Sequence, residues 1–248
     1  MKIAVAGGTG VAGRFVVEAV RARGHEPVVL SRGQGVDLVS GSGLEAALTG
    51  AEVVIDVSNV TTNRKSVAVG FFEKAGLNLA AAAERAGVGH LVTPSIVGVD
   101  RVGHPYYTGK LRQEEIIRAG AVPWTVMRAT QFHEFVGQAL SGVPGPIALV
   151  PTAPVQPVAV REVAEALVGL ALERPRGMAP EFAGPQVESL VDLARRLVAA
   201  GGARRRPVAP LYFPGAMRKG GLLPTGPGPR GTLTFADWLE EQSPAKSS

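Results

Sequence analysis

The apolar run Ile3-Ala4-Val5 leads straight into Ala6-Gly7-Gly8-Thr9-Gly10-Val11-Ala12-Gly13-Arg14, and no other stretch constrains the chain as much. A strand, a glycine turn and a helix start in that order aim backbone N–H groups and the positive end of a helix dipole at one point, which suits a diphosphate. The glycines fit both Gly8-x-Gly10-x-x-Gly13 and Gly7-x-x-Gly10-x-x-Gly13. One permits a turn that a Cβ would obstruct, Gly10 lets phosphates approach the main chain, and Gly13 lets the helix pack closely on the strand. With 32 glycines among 248 residues the spacing recurs by chance, so position carries the reading. The loop lies between a strand-like run and the apolar helical stripe Phe15-Val16-Val17-Glu18-Ala19-Val20.

Strand-like runs recur at residues 3–6, 27–30, 53–57, 91–93 and 124–127, with helical patterns between most of them, notably 66–86 and 106–118. Alternation of this kind predicts βαβ units, right-handed crossovers and a doubly wound parallel sheet in an α/β fold. From residue 143 the texture changes, because Pro144, Pro146, Pro151, Pro154 and Pro157 interrupt the chain before helical stretches at 161–172 and 188–200. A Pro/Gly-rich segment at 207–231 and a short helix near 235–239 follow. The expected division is a nucleotide-binding core over 1–142 and a smaller cap over 143–248, with a frayed tail at 242–248.

Composition narrows the function. The absence of cysteine excludes disulfides, thiolate metal sites and a cysteine nucleophile. The net charge of +5 raises nucleic acid as a partner, but the cations are dispersed apart from Arg204-Arg205-Arg206, and 5% aromatic residues make a poor stacking platform. The first strand starts at the N-terminus in place of a leader, and no apolar run approaches the roughly 18 to 20 residues of a membrane span. The expectation is a cytoplasmic protein with a small-molecule substrate, without nucleic acid or membrane, and with homo-oligomerisation left open.

After the second strand an acid would hold a ribose 2′-OH, whereas arginine accommodates a 2′-phosphate. Here the sequence reads Val29-Leu30-Ser31-Arg32-Gly33, with no acid before Asp37. Arg32 offers a charge-assisted contact to phosphate, Ser31 a hydroxyl, and Arg14 a further cation, so the cofactor expected is NADP(H).

Tyr106 and Lys110 stand at i and i+4, on one helical face. A tyrosine can exchange a proton with a carbonyl or alcohol oxygen when a nearby ammonium lowers its pKa. The alternative makes Tyr106 and Tyr107 packing residues, with Lys110 as a cofactor anchor alone. Which of the two tyrosines faces a nicotinamide stays open.

Together, Gly7-Gly8-Thr9-Gly10-x-x-Gly13, Ser31-Arg32, Asp56-Val57-Ser58-Asn59, Tyr106-Tyr107-x-x-Lys110 with Glu114-Glu115, and Arg128-Ala129-Thr130-Gln131-Phe132 resemble the NmrA-like branch of the atypical short-chain dehydrogenase/reductase superfamily. The resemblance implies an NAD(P)-binding Rossmann fold in which Tyr106 is the acid/base, Lys110 assists it and Ser95 polarises the substrate oxygen. It also implies that Asp37 lies by the adenine, and Val57 and Ser58 beside the middle of the cofactor. The branch holds reductases and cofactor-binding regulators that do no chemistry. Two readings therefore stand: an NADP(H)-dependent oxidoreductase acting on a carbonyl, enone or quinone-like molecule, and a redox sensor. A sugar-nucleotide epimerase or dehydratase also suits the Tyr/Lys pair, but the segment after Val143 is short for a sugar-nucleotide domain.

Gln131-Phe132-His133-Glu134-Phe135 follows the fifth strand, which makes His133 a candidate substrate ligand and the phenylalanines packing residues. Gly137 stands where a zinc motif beginning at His133-Glu134 would need its second histidine. Tyr212, Phe213 and Met217 are candidates for an apolar lid or for packing within the cap, and Trp238 for an anchor of the last helix.

Overall fold

The computed structural model describes residues 1–212 and 214–242 and divides into two units, Met1–Arg128 with Val160–Pro180, and Ala129–Ala159 with the segment from Glu181 onward. The chain thus changes unit after residues 128, 159 and 180, where the sequence reading has a single division at 142. The reason lies in α6 (Val160–Ala171), whose buried stripe Val163, Leu167 and Val168 belongs to the first unit, packed beside α1 (Val11–Ala22). Phe213 and residues 243–248, which carry part of the lid and tail readings, lie outside the described residues.

The first unit is built on a six-stranded parallel sheet in the order β2-β1-β3-β4-β5-β8. Its strands are β1 (Lys2–Ala6), β2 (Glu26–Leu30), β3 (Val53–Asp56), β4 (His90–Ile96), β5 (Trp124–Ala129) and β8 (Gly177–Met178). β1 pairs in parallel with β2, Ala6 opposite Leu30, and with β3, Ala6 opposite Asp56. Chain order therefore reverses at β1, and the crevice outside the carboxyl ends of β1 and β3 is the switch point where open sheets bind ligands. Alternation sends Ala4, Ala6, Val54, Leu91 and Val126 to one face, against Leu44 and Leu48 of α2 (Leu44–Leu48), Leu79, Ala82 and Ala83 of α3 (Lys65–Arg85), and Ile117 of α4 (Pro105–Ala119). The small Ala4 and Ala6 let that layer approach closely. The doubly wound expectation holds.

The second unit carries α5 (Phe135–Ser141), α7 (Leu190–Ala199) and α8 (Phe235–Gln242). It has two two-stranded sheets: β6 (Ala148–Pro151) with β10 (Val208–Leu211), parallel, and β7 (Pro154–Val155) with β9 (Glu188–Ser189), antiparallel. Arg206 donates to the carbonyls of Leu140, Val143 and Gly145, capping the end of α5. Thr234 Oγ1 accepts from the Asp237 N–H, and the Asp237 carboxylate accepts from the Thr234 N–H, so α8 begins with a reciprocal cap. His133 is fully buried and forms a three-ring cluster with Phe235 and Trp238, its Nε2 against the Leu233 carbonyl. That packing explains Trp238 as an anchor and turns His133 inward. Tyr212 is 67% exposed, with the Arg218 guanidinium over its ring.

Candidate functional site

The glycine loop closes the carboxyl end of β1. Gly7 takes φ +76°, and a Cβ there would come within 2.8 Å of the Ser58 Cα. Gly13 is tighter, since a Cβ would meet the Gly7 carbonyl oxygen at 2.1 Å and the Gly8 Cα at 2.6 Å. Gly7 donates to the Leu30 carbonyl at 3.1 Å, and Gly10 donates back to the Gly7 carbonyl at 2.9 Å. The loop is therefore pinned to β2 and to the Val57–Ser58 segment by contacts that leave no room for side chains. Gly10 differs, because a Cβ on it would meet only the Gly7 oxygen, at 3.2 Å.

Beyond the loop, α1 begins at exposed Val11 with no side-chain cap and no acid in its first turn. Its leading N–H groups and dipole face outward beside exposed Thr9 and Gly10. A dinucleotide diphosphate fits this arrangement: a cradle that side chains would fill, uncapped donors, and no carboxylate to repel it.

At the end of β2, Ser31 has its hydroxyl buried without a partner among the described residues, and Arg32 opens a short 3-10 turn over Arg32–Gln34. Arg32 and Arg14 are both exposed, and neither makes an ion pair among the described residues. Asp37 stabilises its own loop, its Oδ1 accepting from the Val39 N–H at 2.8 Å and its N–H donating to the Ser42 carbonyl.

The α4 side is built from side chains. Pro105 occupies the first turn of α4, and the His104 ring accepts from the Tyr106 N–H at 3.3 Å. The Tyr106 hydroxyl donates to Asn59 Oδ1 at 2.7 Å while its ring packs edge-on against Phe72. Burial holds its pKa above the usual tyrosine value, with Tyr107 adding to the shift. Tyr107 packs against the His104 ring, with the two planes tilted by 58°.

Lys110 is buried. Its ammonium donates to the Pro94 carbonyl at 2.8 Å and to Gln113 Oε1, and lies 5.1 Å from the centre of the Phe72 ring. Burial pulls its pKa down to about 8, against Asp56 and Glu114, which pull upward. Lys110 directs two of its donors to β4 and α4, and burial is the largest influence on the Tyr106 pKa. Ser95, in the same strand as Pro94, has a buried hydroxyl with no partner among the described residues.

Three further residues complete the site. Asn59 holds the Tyr106 hydroxyl, Gln113 donates from Nε2 to Asp56 Oδ2 at 2.7 Å, and Asp56 Oδ1 accepts from the Ser58 N–H at 3.0 Å. Gln113 stands three residues after Lys110 on its helical face, and Asp56 is an acid closing the buried run Val53-Val54-Ile55, two signals legible in sequence. One turn on, Glu114 and Arg128 form a bidentate pair, with Asp100 on the other guanidinium edge at 2.6 Å. That network raises the Arg128 pKa and joins β5 to α4.

A model of the NmrA-like family matches residues 1–158. No curated protein sequence matches the chain. Among solved structures, UDP-glucose 4-epimerase from Thermus thermophilus in complex with NAD is 21% identical with a TM-score of 0.66, covering 100% of this chain and 95% of that one. UDP-N-acetylglucosamine 4-epimerase from Bacillus cereus is 19% identical with a TM-score of 0.70, covering 97% and 94%. A short-chain dehydrogenase/reductase superfamily protein from Agrobacterium tumefaciens with bound NAD is 17% identical with a TM-score of 0.69, covering 98% and 96%. The shared property is the Rossmann-type fold.

Proposed function

The chain belongs to the NmrA-like family, and on that footing we propose that it is an NADP(H)-dependent oxidoreductase acting on a carbonyl, enone or quinone-like small molecule. The observation that carries this reading is the coincidence, at one sheet edge, of the Gly7–Gly13 cradle, the Val57–Ser58 segment packed on it, and Tyr106 tethered to the next residue, Asn59. Gly7, Gly8, Thr9, Gly10, Val11 and Gly13 would hold the diphosphate, Ser31 and Arg32 the 2′-phosphate, Asp37 the adenine side, and Val57 and Ser58 the middle of the cofactor. When bound, the cofactor supplies hydride.

The protein's share is protonation and orientation. The phenol of Tyr106 keeps its proton at neutral pH and releases it only to an acceptor stronger than Asn59 Oδ1, such as an oxyanion developing on substrate. Ser95, with its hydroxyl uncommitted, would donate a hydrogen bond to that same oxygen. Lys110 places a positive charge between β4 and α4 that favours the anionic ligand and the ribose end of the site. Tyr106→Phe should abolish NADPH oxidation across a panel of ketones, enones and quinones while leaving NADPH affinity within about twofold. Full turnover in that variant would remove Tyr106 from the mechanism.

One observation favours the second reading, a non-catalytic NADP(H) sensor: the Lys110 ammonium donates to the Pro94 carbonyl and Gln113, while the Tyr106 hydroxyl is held by Asn59. Absence of turnover on every substrate, with affinities that differ at least about tenfold between NADP⁺ and NADPH, would select it.

A further inference from the structure

A buried ammonium can only donate and a buried carboxylate can only accept, so two such groups that do not touch need an adapter offering an acceptor to one and a donor to the other. Gln113 does this. Its Oε1 accepts from Lys110 Nζ, and its Nε2 donates to Asp56 Oδ2 at 2.7 Å. The flipped amide would face N–H against ammonium and oxygen against carboxylate, so the charges at either end fix its orientation. Asp56 in turn uses Oδ1 to hold the Ser58 N–H at 3.0 Å, and Ser58 is the residue that a side chain on Gly7 would strike. Asp56, Gln113 and Lys110 are each at most 5% exposed.

We propose that Asp56 and Gln113 are positioning residues: a buried relay, Ser58 N–H to Asp56 to Gln113 to Lys110, that fixes the Lys110 ammonium and couples it to the segment on which the glycine loop rests. A lysine side chain has four rotatable bonds, and burial alone would leave this one free to choose among neighbouring carbonyls. The relay selects one position, with Pro94 of β4 as the second acceptor. It also joins three elements, β3, β4 and α4, at the carboxyl edge of the sheet. Either link broken would leave a buried charge short of a partner, the costly condition in a low-dielectric interior. Its bearing on turnover rests on the reading of the site given above; its existence does not.

The ionisable groups acting on Lys110 are Asp56 from β3 and Glu114 from its own helix, the latter engaged by Arg128; α3 presents the Phe72 ring and β4 the Pro94 carbonyl. The test follows the Lys110 Nζ signal in ¹⁵N-lysine-labelled whole protein without added dinucleotide, assigned by its loss in Lys110→Met and distinguished from Lys2, Lys65, Lys74, Lys219 and Lys246. The wild type should titrate near pH 8. Gln113→Met and Asp56→Asn should each lower that midpoint by about one pH unit, and Gln113→Glu should raise it by a similar amount. Opposite movements at one position are not what a packing role produces, and Gln113→Glu and Asp56→Asn keep the question answerable if Gln113→Met does not fold. A midpoint unmoved in the folded variants would overturn the relay. Dinucleotide binding is measured alongside: shifted midpoints in a chain that binds none would still establish the relay, and unmoved midpoints in a chain that binds it would overturn the relay alone.

Discussion

At the end of β1 the site is made by side chains that are missing, whereas between β3, β4 and α4 it is made by side chains that are present, polar and buried. Gly7 and Gly13 leave gaps into which only backbone fits, so the loop offers N–H groups whose placement does not depend on pH. Lys110, Gln113 and Asp56 instead hold one another through hydrogen bonds between charged and neutral groups, an arrangement that protonation or one substitution can undo. A cradle built by exclusion is stiff and indifferent to solution conditions. A cluster built by pairing is adjustable, and it stands where chemistry would need adjustment.

The sharpest way to break this comparison is to put side chains into the loop. Gly13→Ala drives a Cβ to 2.1 Å from the Gly7 oxygen, and it should destabilise the chain by about 3 kcal/mol or more in denaturant unfolding, with dinucleotide binding lost. Gly10→Ala meets nothing closer than 3.2 Å, so stability should change by less than about 1 kcal/mol while affinity falls at least about tenfold by fluorescence titration. Equal effects of the two would contradict separate roles for the two glycines.

The adjustable half is probed by pH. Burial lowers the Lys110 pKa from 10.5 to about 8. Between those values the unfolded chain carries more protons than the folded one, so this group's contribution to stability is least favourable below pH 8 and recovers as pH rises. The stability difference, wild type minus Lys110→Met, should therefore increase by about 2–3 kcal/mol from pH 7 to pH 10 in urea unfolding. A flat difference would mean that the ammonium is solvated.

Smaller effects belong to the exposed rim. Arg32→Ala should weaken NADPH about 10- to 100-fold while leaving NADH nearly unchanged, as read by competition binding. Equal losses would contradict the 2′-phosphate assignment. Asn59→Ala removes one exposed acceptor and should cost about 1 kcal/mol or less in thermal unfolding.

Sequence reading succeeds where one local pattern suffices. The strand-glycine-helix order, the long amphipathic helices and the i, i+4 placement of Tyr106 and Lys110 are all properties of contiguous residues. It fails where pairing is remote: β6 needs β10 some sixty residues on, and β7 needs β9, so neither strand is visible in a run of two to four residues broken by proline. The return of α6 to the first unit is hidden for the same reason, since its apolar stripe tells that it packs but not on what. In the site, the spacing brings Tyr106 and Lys110 onto one helix face but is silent on their partners. Asn59 and Asp56 approach them from the end of β3, and desolvation, a property of the assembled fold, decides both pKa shifts.

A Gly7–Gly13 loop that holds a dinucleotide diphosphate must bind the free cofactor, which equilibrium dialysis of the purified chain against NADPH and NADH measures. Saturable binding of one equivalent, tighter for NADPH and abolished by Gly13→Ala in protein shown to be folded, is the predicted result. No saturable binding of either dinucleotide by the wild type, or binding that survives a side chain at Gly13, would contradict it.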